Sequence, residues 1–333
     1  MIRMHLNENP LVEQPYCRYP DHGYEQLRSL LRLQFGLRDA EVLIGNGSTE
    51  IISTIFLWAH LNQKKILFPW PSYILYQELE KLYNADVIRI PVGLGEWDVD
   101  QIAEAVPDKA LLILCNPNNP TGRYMTRKDI RRLLSKLPAS TTVLLDEAYI
   151  EYVDVQEEAD GCFTEAELMH SNCIIVRTFS KFYGLAGWRI GYALLHPELF
   201  RTFRAYLQLW NVNAPAIDRA VACLHDKKRY MEGRRQTVHL RMILHTALEQ
   251  VGFSVLPSQT NFLCCSHPQL DMWTAKWKKE GYYVNHLIPY ADSELKSYVR
   301  MSVENGKVME RFIQHIKQSG GYDEKDLQNT LVL

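Results

Sequence analysis

Short runs of apolar and β-branched residues alternate with segments of helical periodicity over the first two thirds of the chain. Runs of four to six such residues predict buried strands at Lys65–Phe68, Val87–Pro91, Leu111–Cys115, Val143–Asp146, Ile174–Thr178 and Ile190–Leu195. Between them, apolar residues three and four positions apart predict helices at Ser48–His60, Ser72–Asn84 and Arg127–Leu137, with candidate N-caps at Ser48, Ser72 and Thr126. Because strands that alternate with helices form parallel sheets covered on both faces, we predict an α/β fold, a three-layer sandwich with a mostly parallel central sheet.

The pattern changes near residue 215. One long amphipathic helix is predicted there, and its apolar stripe consists of Leu240, Ile243, Leu244, Ala247 and Leu248. Short strands are predicted after it at Phe253–Leu256, Asn261–Cys265, Tyr282–Val284 and Tyr298–Val303. These elements indicate a smaller α+β domain. We therefore expect an N-terminal arm over residues 1–25, a large domain over 26–215, a small domain over 216–318 and a tail over 319–333.

Composition and charge exclude several classes of protein. The 333 residues are 47% hydrophobic and 23% charged, a globular balance that excludes disorder, collagen and coiled coil. The apolar runs are too short for a membrane helix and the first residues lack a signal-peptide core, so we expect a cytoplasmic protein with no membrane partner. With 37 basic and 39 acidic side chains, the net charge of −2 predicts no nucleic-acid partner. Seven Cys residues without a C-x-x-C pair predict neither a disulfide framework nor a metal site.

The segment Val176–Tyr192 carries the strongest chemical signal. Lys181 lies just past an apolar strand, beside Thr178 and Ser180 and before Arg189. A single lysine in such a loop is most often solvated. The carboxyl end of a strand is, however, where α/β folds bind ligands, and lysine is the side chain that condenses with aldehydes. Because two hydroxyls and a guanidinium lie nearby, the cluster predicts an aldehyde-reactive lysine beside a phosphate site.

The segment Val143–Tyr149 ends a hydrophobic strand in two acids and a tyrosine. A carboxylate buried at the end of a strand needs a cationic partner, because burial of an isolated charge is costly. A protonated pyridine nitrogen would be such a partner for Asp146, which would keep the ring charged so that it can act as an electron sink. The structural alternative is that Asp146 caps the next helix.

Three further segments place polar or aromatic groups after predicted strands. Asn119, in the turn-rich run Asn116–Gly122, either belongs to a plain β-turn or donates its amide to a phenolic oxygen. The backbone N–H groups of Ser48 and Thr49 open a predicted helix and form a candidate anion site. The ring of Tyr73 either packs in the core or stacks on a planar cofactor.

Taken together, these motifs resemble the class I/II aminotransferases, pyridoxal-phosphate (PLP) enzymes of fold type I, and within them most of all the histidinol-phosphate aminotransferases. The segments that carry the resemblance stand in that family's order: Leu6–Pro10, Arg18–Asp21, Gly45–Ser48, Asn119–Gly122, Asp146–Tyr149, Arg177–Arg189 and Thr260–Phe262. The resemblance implies the cofactor pyridoxal 5'-phosphate. It also implies transfer of an amino group between an amino acid or an amino-alcohol phosphate and a 2-oxo acid such as 2-oxoglutarate.

The resemblance further implies a role for each matching residue. Lys181 would bind the cofactor and move protons, and Asp146 would pair with the pyridine nitrogen, so that with Tyr149 these are the implied catalytic residues. Tyr149 and Asn119 would donate hydrogen bonds to the ring oxygen, and Tyr73 would stack on the ring. The cofactor phosphate would be bound by Ser48, Thr49, Thr178, Ser180 and Arg189.

Substrate binding is implied at Arg300, Asn119 and Tyr19. Arg300 matches the arginine that holds the anionic group of the substrate. Tyr19 resembles the residue that reaches the phosphate bound by a neighbouring subunit, which implies a homodimer with shared sites.

One departure from the family concerns Asn285 and His286, which stand where histidinol-phosphate aminotransferases usually carry a second arginine. Its loss weakens the implication of a phosphorylated substrate. The same scaffold leaves a threonine-phosphate decarboxylase-like enzyme as the alternative. A non-catalytic PLP-binding protein is disfavoured, because the lysine site is complete.

Overall fold

The structure is a computed structural model that describes residues 5–9, 11, 14–21, 23–154, 163–170 and 172–319. The predicted tail lies outside these residues except for Ser319. Within the described part of the chain, no helix is long and apolar enough to cross a membrane.

A seven-stranded sheet forms the centre of the first two thirds of the chain. Its strands are β1 (Glu41–Gly45), β2 (Ile66–Trp70), β3 (Val87–Pro91), β4 (Leu111–Cys115), β5 (Thr142–Asp146), β6 (Cys173–Thr178) and β7 (Gly191–Leu195). Their order is β1-β7-β6-β5-β4-β2-β3, and only the two pairings of β7 are antiparallel. Strands β2 to β7 agree with the predicted runs to within two residues at each end. Strand β1 was not predicted, because its apolar run is only three residues long.

Helices cover both faces of this sheet. They are α1 (Glu25–Phe35), α2 (Gly47–Leu61), α3 (Ile74–Tyr83), α4 (Val99–Ala105), α5 (Arg127–Lys136), α6 (Glu165–His170), α7 (Pro197–Arg204) and α8 (Ala214–His225). Because alternate strand residues point to opposite faces, Leu112 and Leu114 of β4 pack with α1, α4, α5 and α8, whereas Leu111 and Ile113 pack with α2, α3 and α7. The predicted three-layer α/β sandwich is confirmed.

Helix starts differ from the prediction at two of the three candidate caps. Thr126 caps α5 as predicted, since its Oγ1 accepts a hydrogen bond from the N–H of Asp129 at 3.1 Å. Ser48 is not a cap, because α2 already begins one residue before it. Ser72 is not a cap either: its hydroxyl donates to Oδ1 of Asn118 at 2.9 Å, and α3 begins two residues later.

A second sheet, entirely antiparallel, lies in the C-terminal part of the chain. It contains β8 (Ser254–Val255), β9 (Phe262–Ser266), β10 (Asn285–His286) and β11 (Val299–Ser302) in the order β10-β11-β9-β8. The helices of this part are α9 (Lys227–Gln250), α10 (Leu270–Lys279) and α11 (Gly306–Ser319). Leu244, Ala247 and Leu248 of the predicted apolar stripe are buried in a core shared with β9, α10 and α11.

Two predictions for this region were wrong. The single long helix is two helices, because the backbone leaves helical geometry at Asp226, with φ −111° and ψ 48°, inside a polar run that has no apolar stripe to bury. The strand predicted at Tyr282–Val284 lies instead at Asn285–His286, where β11 offers a pairing edge that sets Asn285 opposite Arg300.

One segment after α10 packs on the large sheet instead of the small one. Leu287, Tyr290 and Leu295 are buried in the core that includes α2 and α3. The ring of Tyr290 stacks on Trp70, the last residue of β2, at a centroid distance of 5.1 Å, and Asp292 accepts a hydrogen bond from Nε1 of Trp70 at 3.2 Å. The segment therefore lies beside the carboxyl ends of the parallel strands.

Candidate active site

A cavity of about 310 Å³ lies where the carboxyl ends of the parallel strands face the small sheet. The last residues of β4, β5 and β6, which are Cys115, Asp146 and Thr178, line it, and β11 contributes Arg300. The predicted site residues that line the cavity are Ser48, Thr49, Tyr73, Asn119, Asp146, Tyr149, Thr178, Ser180, Lys181, Arg189 and Arg300. The structure brings together every predicted site residue except Tyr19.

The carboxylate of Asp146 lies at the buried floor of this cavity. Its Oδ2 accepts a hydrogen bond from the hydroxyl of Tyr76 at 2.8 Å, and its Oδ1 accepts one from the N–H of Ala148 at 3.2 Å. Burial raises the pKa of Asp146 to about 6, while these two donors oppose the rise. The second contact resembles a local turn cap, but the buried carboxylate still faces the cavity. A cationic group placed there would stabilise its charged form.

The amine of Lys181 lies in the same cavity, 5.6 Å from the ring centroid of Tyr149. Burial lowers its pKa, and the positive charges of Arg300 and Arg189 lower it further. A lysine amine that loses its proton more readily than an exposed one is the form that attacks a carbonyl carbon.

A hydrogen bond between Arg300 and Asn119 connects the two sides of the cavity. Nη1 of Arg300, on the small sheet, donates to Oδ1 of Asn119, in the turn after β4 of the large sheet, at 2.5 Å. This contact leaves the amide nitrogen of Asn119 for another acceptor. Burial raises the pKa of Tyr149, so its hydroxyl stays protonated and acts as a donor.

A concave cluster of polar residues, here called the cup, lies at the N-terminus of α2. It consists of Ser48, Thr49, Thr178, Ser180 and Arg189. The N–H of Ser180 donates to Oγ1 of Thr178 at 3.0 Å, and Nη1 of Arg189 donates to the carbonyl of Ala186 at 3.1 Å. Backbone N–H groups at a helix start, hydroxyls and a guanidinium are the donors that bind phosphate.

Two glycines make this cup possible. A side chain at Gly47 would meet the guanidinium of Arg189, and Gly47 also has a positive φ of 74°. A side chain at Gly191 would meet the backbone nitrogen of Ser48. A side chain at either position would therefore displace a group of the cup, which explains why glycine is required at both.

Tyr73, at the start of α3, lines the cavity, so its ring is placed to stack on a planar ligand. Tyr19 lies outside. It belongs to the N-terminal arm, its side chain is 46% exposed, and its ring stacks on Trp210 at a centroid distance of 4.2 Å.

Sequence reasoning missed several residues in the cavity and beneath it. Tyr76 is the partner of Asp146, and its spacing of three from Tyr73 on a helix was the signal that could have found it. An apolar wall of the cavity was also missed, since its packing on the large sheet has no local signal; it consists of Ile74, Leu287, Pro289 and Tyr290.

Asn285 lines the cavity on β10, directly across the strand pair from Arg300. With its amide turned, Asn285 accepts a hydrogen bond from Nη2 of Arg300 at 3.3 Å. Arg300 thus lies between two amides, those of Asn119 and Asn285, at one end of the cavity.

The donor set fits pyridoxal phosphate. The cup matches a phosphate, the buried carboxylate of Asp146 matches a protonated pyridine nitrogen, and the amine of Lys181 matches an aldehyde. No group of three His, Cys, Asp or Glu residues in the described part of the chain could hold a metal ion. The fold and the site together define a PLP-dependent enzyme of fold type I.

The sequence matches the family described as aminotransferase class I and II over residues 11–316. The chain therefore belongs to the class I and II aminotransferases, which are PLP-dependent transferases. The resemblance that the sequence motifs indicated is confirmed.

The proteins that are similar in sequence are named for more than one substrate. The chain is 35% identical to histidinol-phosphate aminotransferase 2 of Pasteurella multocida, over 94% of this chain and 88% of that protein. It is 36% identical to an aromatic amino acid aminotransferase of Nocardia farcinica, over 74% of this chain and 70% of that protein. Its fold matches the crystal structure of the histidinol-phosphate aminotransferase from Clostridium acetobutylicum with a TM-score of 0.81, 24% identity and 91% coverage of both chains.

Proposed function

We propose that this enzyme moves an amino group from an amino donor with one anionic group to a 2-oxo acid such as 2-oxoglutarate, as a histidinol-phosphate aminotransferase-like enzyme. The observation that carries the proposal is that one cavity is lined by Lys181, Asp146, the phosphate cup and Arg300. Lys181, Asp146 and the cup offer the groups that bind the cofactor, and Arg300 offers the group that binds a substrate anion.

We assign the cofactor contacts by the donors that each residue offers. When bound, pyridoxal phosphate supplies the electron sink for the bonds at the substrate Cα. Asp146 binds the ring nitrogen and holds its proton in place, and Lys181 moves a proton to and from the substrate Cα. The hydroxyl of Tyr149 and the amide nitrogen of Asn119 donate to the ring oxygen. Tyr73 stacks on the ring.

Phosphate binding is assigned to the cup at the start of α2. The N–H groups of Ser48 and Thr49 point out of the helix start, where the helix dipole favours an anion. Arg189 adds the only full charge among the cup residues, and the hydroxyls of Thr178 and Ser180 add neutral donors.

Substrate binding is assigned to Arg300 and the apolar wall. A carboxylate is satisfied by one bidentate arginine, whereas a phosphate carries nearly two charges and normally needs further cationic donors. Because Asn285 adds an amide and no charge beside Arg300, a carboxylate is the better fit. The wall formed by Leu287, Pro289 and Tyr290 suits an apolar or aromatic side chain, in line with the aromatic amino acid named for one relative.

We further propose a homodimer in which Tyr19 reaches the site of the neighbouring subunit. Two observations support this: Tyr19 is half exposed, and it does not line the cavity of its own chain. The division into an arm over 1–25, a large domain over 26–215, a small domain over 216–318 and a tail over 319–333 is retained as a proposal. The cytoplasm is proposed as the location.

A donor screen tests the reaction. Purified enzyme with pyridoxal phosphate is given aromatic amino acids, histidinol phosphate or phosphothreonine together with 2-oxoglutarate, and glutamate and carbon dioxide are both measured. We expect glutamate formation from carboxylate donors without carbon dioxide. Release of carbon dioxide from phosphothreonine without glutamate formation would identify the enzyme as a decarboxylase instead.

A variant pair tests the anion preference. Asn285→Arg places a second charge beside Arg300, so it should raise kcat/KM for phosphorylated donors relative to carboxylate donors. Tyr283→Arg adds the same charge at a side chain that is 79% exposed and outside the cavity, and it should leave the ratio unchanged. An unchanged ratio in Asn285→Arg would place the anion pocket elsewhere.

A further inference from the structure

Two tyrosines at the start of α3 lie at the cavity. Tyr73 immediately precedes the helix and Tyr76 is in its first turn, three residues further on. Their rings meet edge to face, with centroids 5.7 Å apart and planes at 83°. Tyr73 lines the cavity, whereas Tyr76 lies beneath it and is fully buried. The start of α3 thus supplies the ring of Tyr73, which lines the cavity, and the hydroxyl of Tyr76, which is buried beneath it.

The hydroxyl of Tyr76 has a defined acceptor. It donates to Oδ2 of Asp146 at 2.8 Å, across 70 residues of sequence. Oδ1 of the same carboxylate takes only the longer bond from the N–H of Ala148, at 3.2 Å. The ring of Tyr76 is held by Phe68 of β2, at a centroid distance of 5.5 Å. Because Tyr76 is fully buried, water has no access to replace its hydroxyl.

The contact matters because Asp146 is a buried charge. A hydrogen bond donated to a carboxylate stabilises its charged form and lowers its basicity. Several groups lower the pKa of Asp146 against the effect of burial, and the Tyr76 hydroxyl has the largest effect among them. Without it, the carboxylate would be more basic and would compete with the pyridine nitrogen for the shared proton. A ring nitrogen that loses its proton is a weaker electron sink.

We propose that Tyr76 is a positioning residue that fixes the Asp146 carboxylate and keeps the proton on the cofactor ring nitrogen. The inference rests on the proposed role of Asp146. Tyr76 does not line the cavity; it acts through Asp146. Its geometric basis is the 2.8 Å hydrogen bond, the complete burial and the edge-to-face contact with the ring of Tyr73.

Tyr76→Phe tests the proposal, with Tyr83→Phe as the matched control. Both substitutions remove one hydroxyl from the same helix, but Tyr83 lies two turns further on and does not line the cavity. The first readout is the pKa of the Asp146 carboxyl in the cofactor-free full chain, followed by the resonance of its carboxyl carbon. The protein is labelled with ¹³C at aspartate, and the resonance of Asp146 is the one that is absent from Asp146→Asn. Tyr76→Phe should raise the pKa of this carboxyl, and Tyr83→Phe should leave the pKa unchanged.

The second readout is the pyridine nitrogen of ¹⁵N-labelled cofactor bound to each protein. In Tyr76→Phe its resonance should move toward the unprotonated form, and kcat should fall at least about tenfold, which corresponds to roughly 1.4 kcal/mol. A loss of activity with both resonances unchanged would show a merely structural role and overturn the proposal. If Tyr76→Phe does not fold, 3-fluorotyrosine at position 76 replaces it. Its more acidic hydroxyl should lower the pKa of the Asp146 carboxyl, and an unchanged pKa would equally refute the proposal.

The outcomes separate this inference from the proposed function. The carboxyl titration needs no cofactor, so it reports on the Tyr76 contact whatever reaction the enzyme catalyses. If the wild-type protein transfers amino groups but Tyr76→Phe leaves both resonances unchanged, only the inference about Tyr76 fails. If the wild-type protein shows no amino transfer, the proposed function fails while the titration still tests the contact.

Discussion

Asp146→Asn should make the cofactor-free protein more stable near neutral pH although it removes most of the activity. The buried carboxyl of Asp146 has its pKa raised by desolvation from 3.8 to about 6. Because the folded-state pKa lies above the unfolded one, the stability linked to this group is full below pH 4 and is lost as the pH rises through 6. Asparagine carries no charge, and its Oδ1 can still accept a hydrogen bond from Tyr76.

The size of the effect follows from the two pKa values. At pH 8 the charged carboxylate costs about 3 kcal/mol of unfolding free energy, and at pH 5 the cost is about half as large, because much of the group is protonated in the folded protein. The assay is urea unfolding of cofactor-free wild type and Asp146→Asn at pH 5 and pH 8, at one protein concentration. Asp218→Asn, an exposed substitution on α8, controls for the chemical change. Equal stability of wild type and Asp146→Asn at both pH values would refute the reasoning.

Three further predictions concern the anion sites and the arm. Arg300→Ala should raise KM at least about tenfold for every accepted donor, roughly 1.4 kcal/mol of lost binding; steady-state kinetics that show no change would move the substrate anion elsewhere. Arg189→Ala should weaken pyridoxal phosphate binding by a similar factor in equilibrium titration, because the cup loses its guanidinium; equal affinity would contradict the phosphate assignment. Mixing inactive Tyr19→Ala and Lys181→Ala proteins should restore part of the activity if subunits exchange; no recovery would indicate sites built within one chain.

Much of the site could be predicted because its residues follow strands. The carboxyl ends of parallel strands meet at one edge of the sheet, so Asp146 and Thr178 were expected to converge with the segment that holds Lys181. The strands themselves were visible because they are continuous apolar runs between amphipathic helices. Local chemistry therefore predicted many of the residues that line the cavity.

The rest depended on contacts between residues distant in sequence. The hydrogen bond of Tyr76 to Asp146 crosses 70 residues, so the spacing of Tyr76 from Tyr73 could point to the residue but not to its partner. Leu287 and Tyr290 follow α9 and α10 in sequence, yet they pack on the core of the large sheet. The helix break at Asp226 was missed because amphipathic periodicity on both sides suggested one helix. Packing against other elements decided the first two of these features, and tertiary contacts commonly override local sequence preference.

The central claim is that Lys181 is the residue that holds the cofactor. The protein is saturated with pyridoxal phosphate, reduced with borohydride, digested and mapped by mass spectrometry, with Lys64→Ala as a control because Lys64 is another lysine whose pKa is lowered by burial. We predict the reduced adduct on the peptide that contains Lys181, in the wild type and in Lys64→Ala alike, and its absence in Lys181→Ala. An adduct on a different lysine, with Lys181 unmodified, would contradict the account.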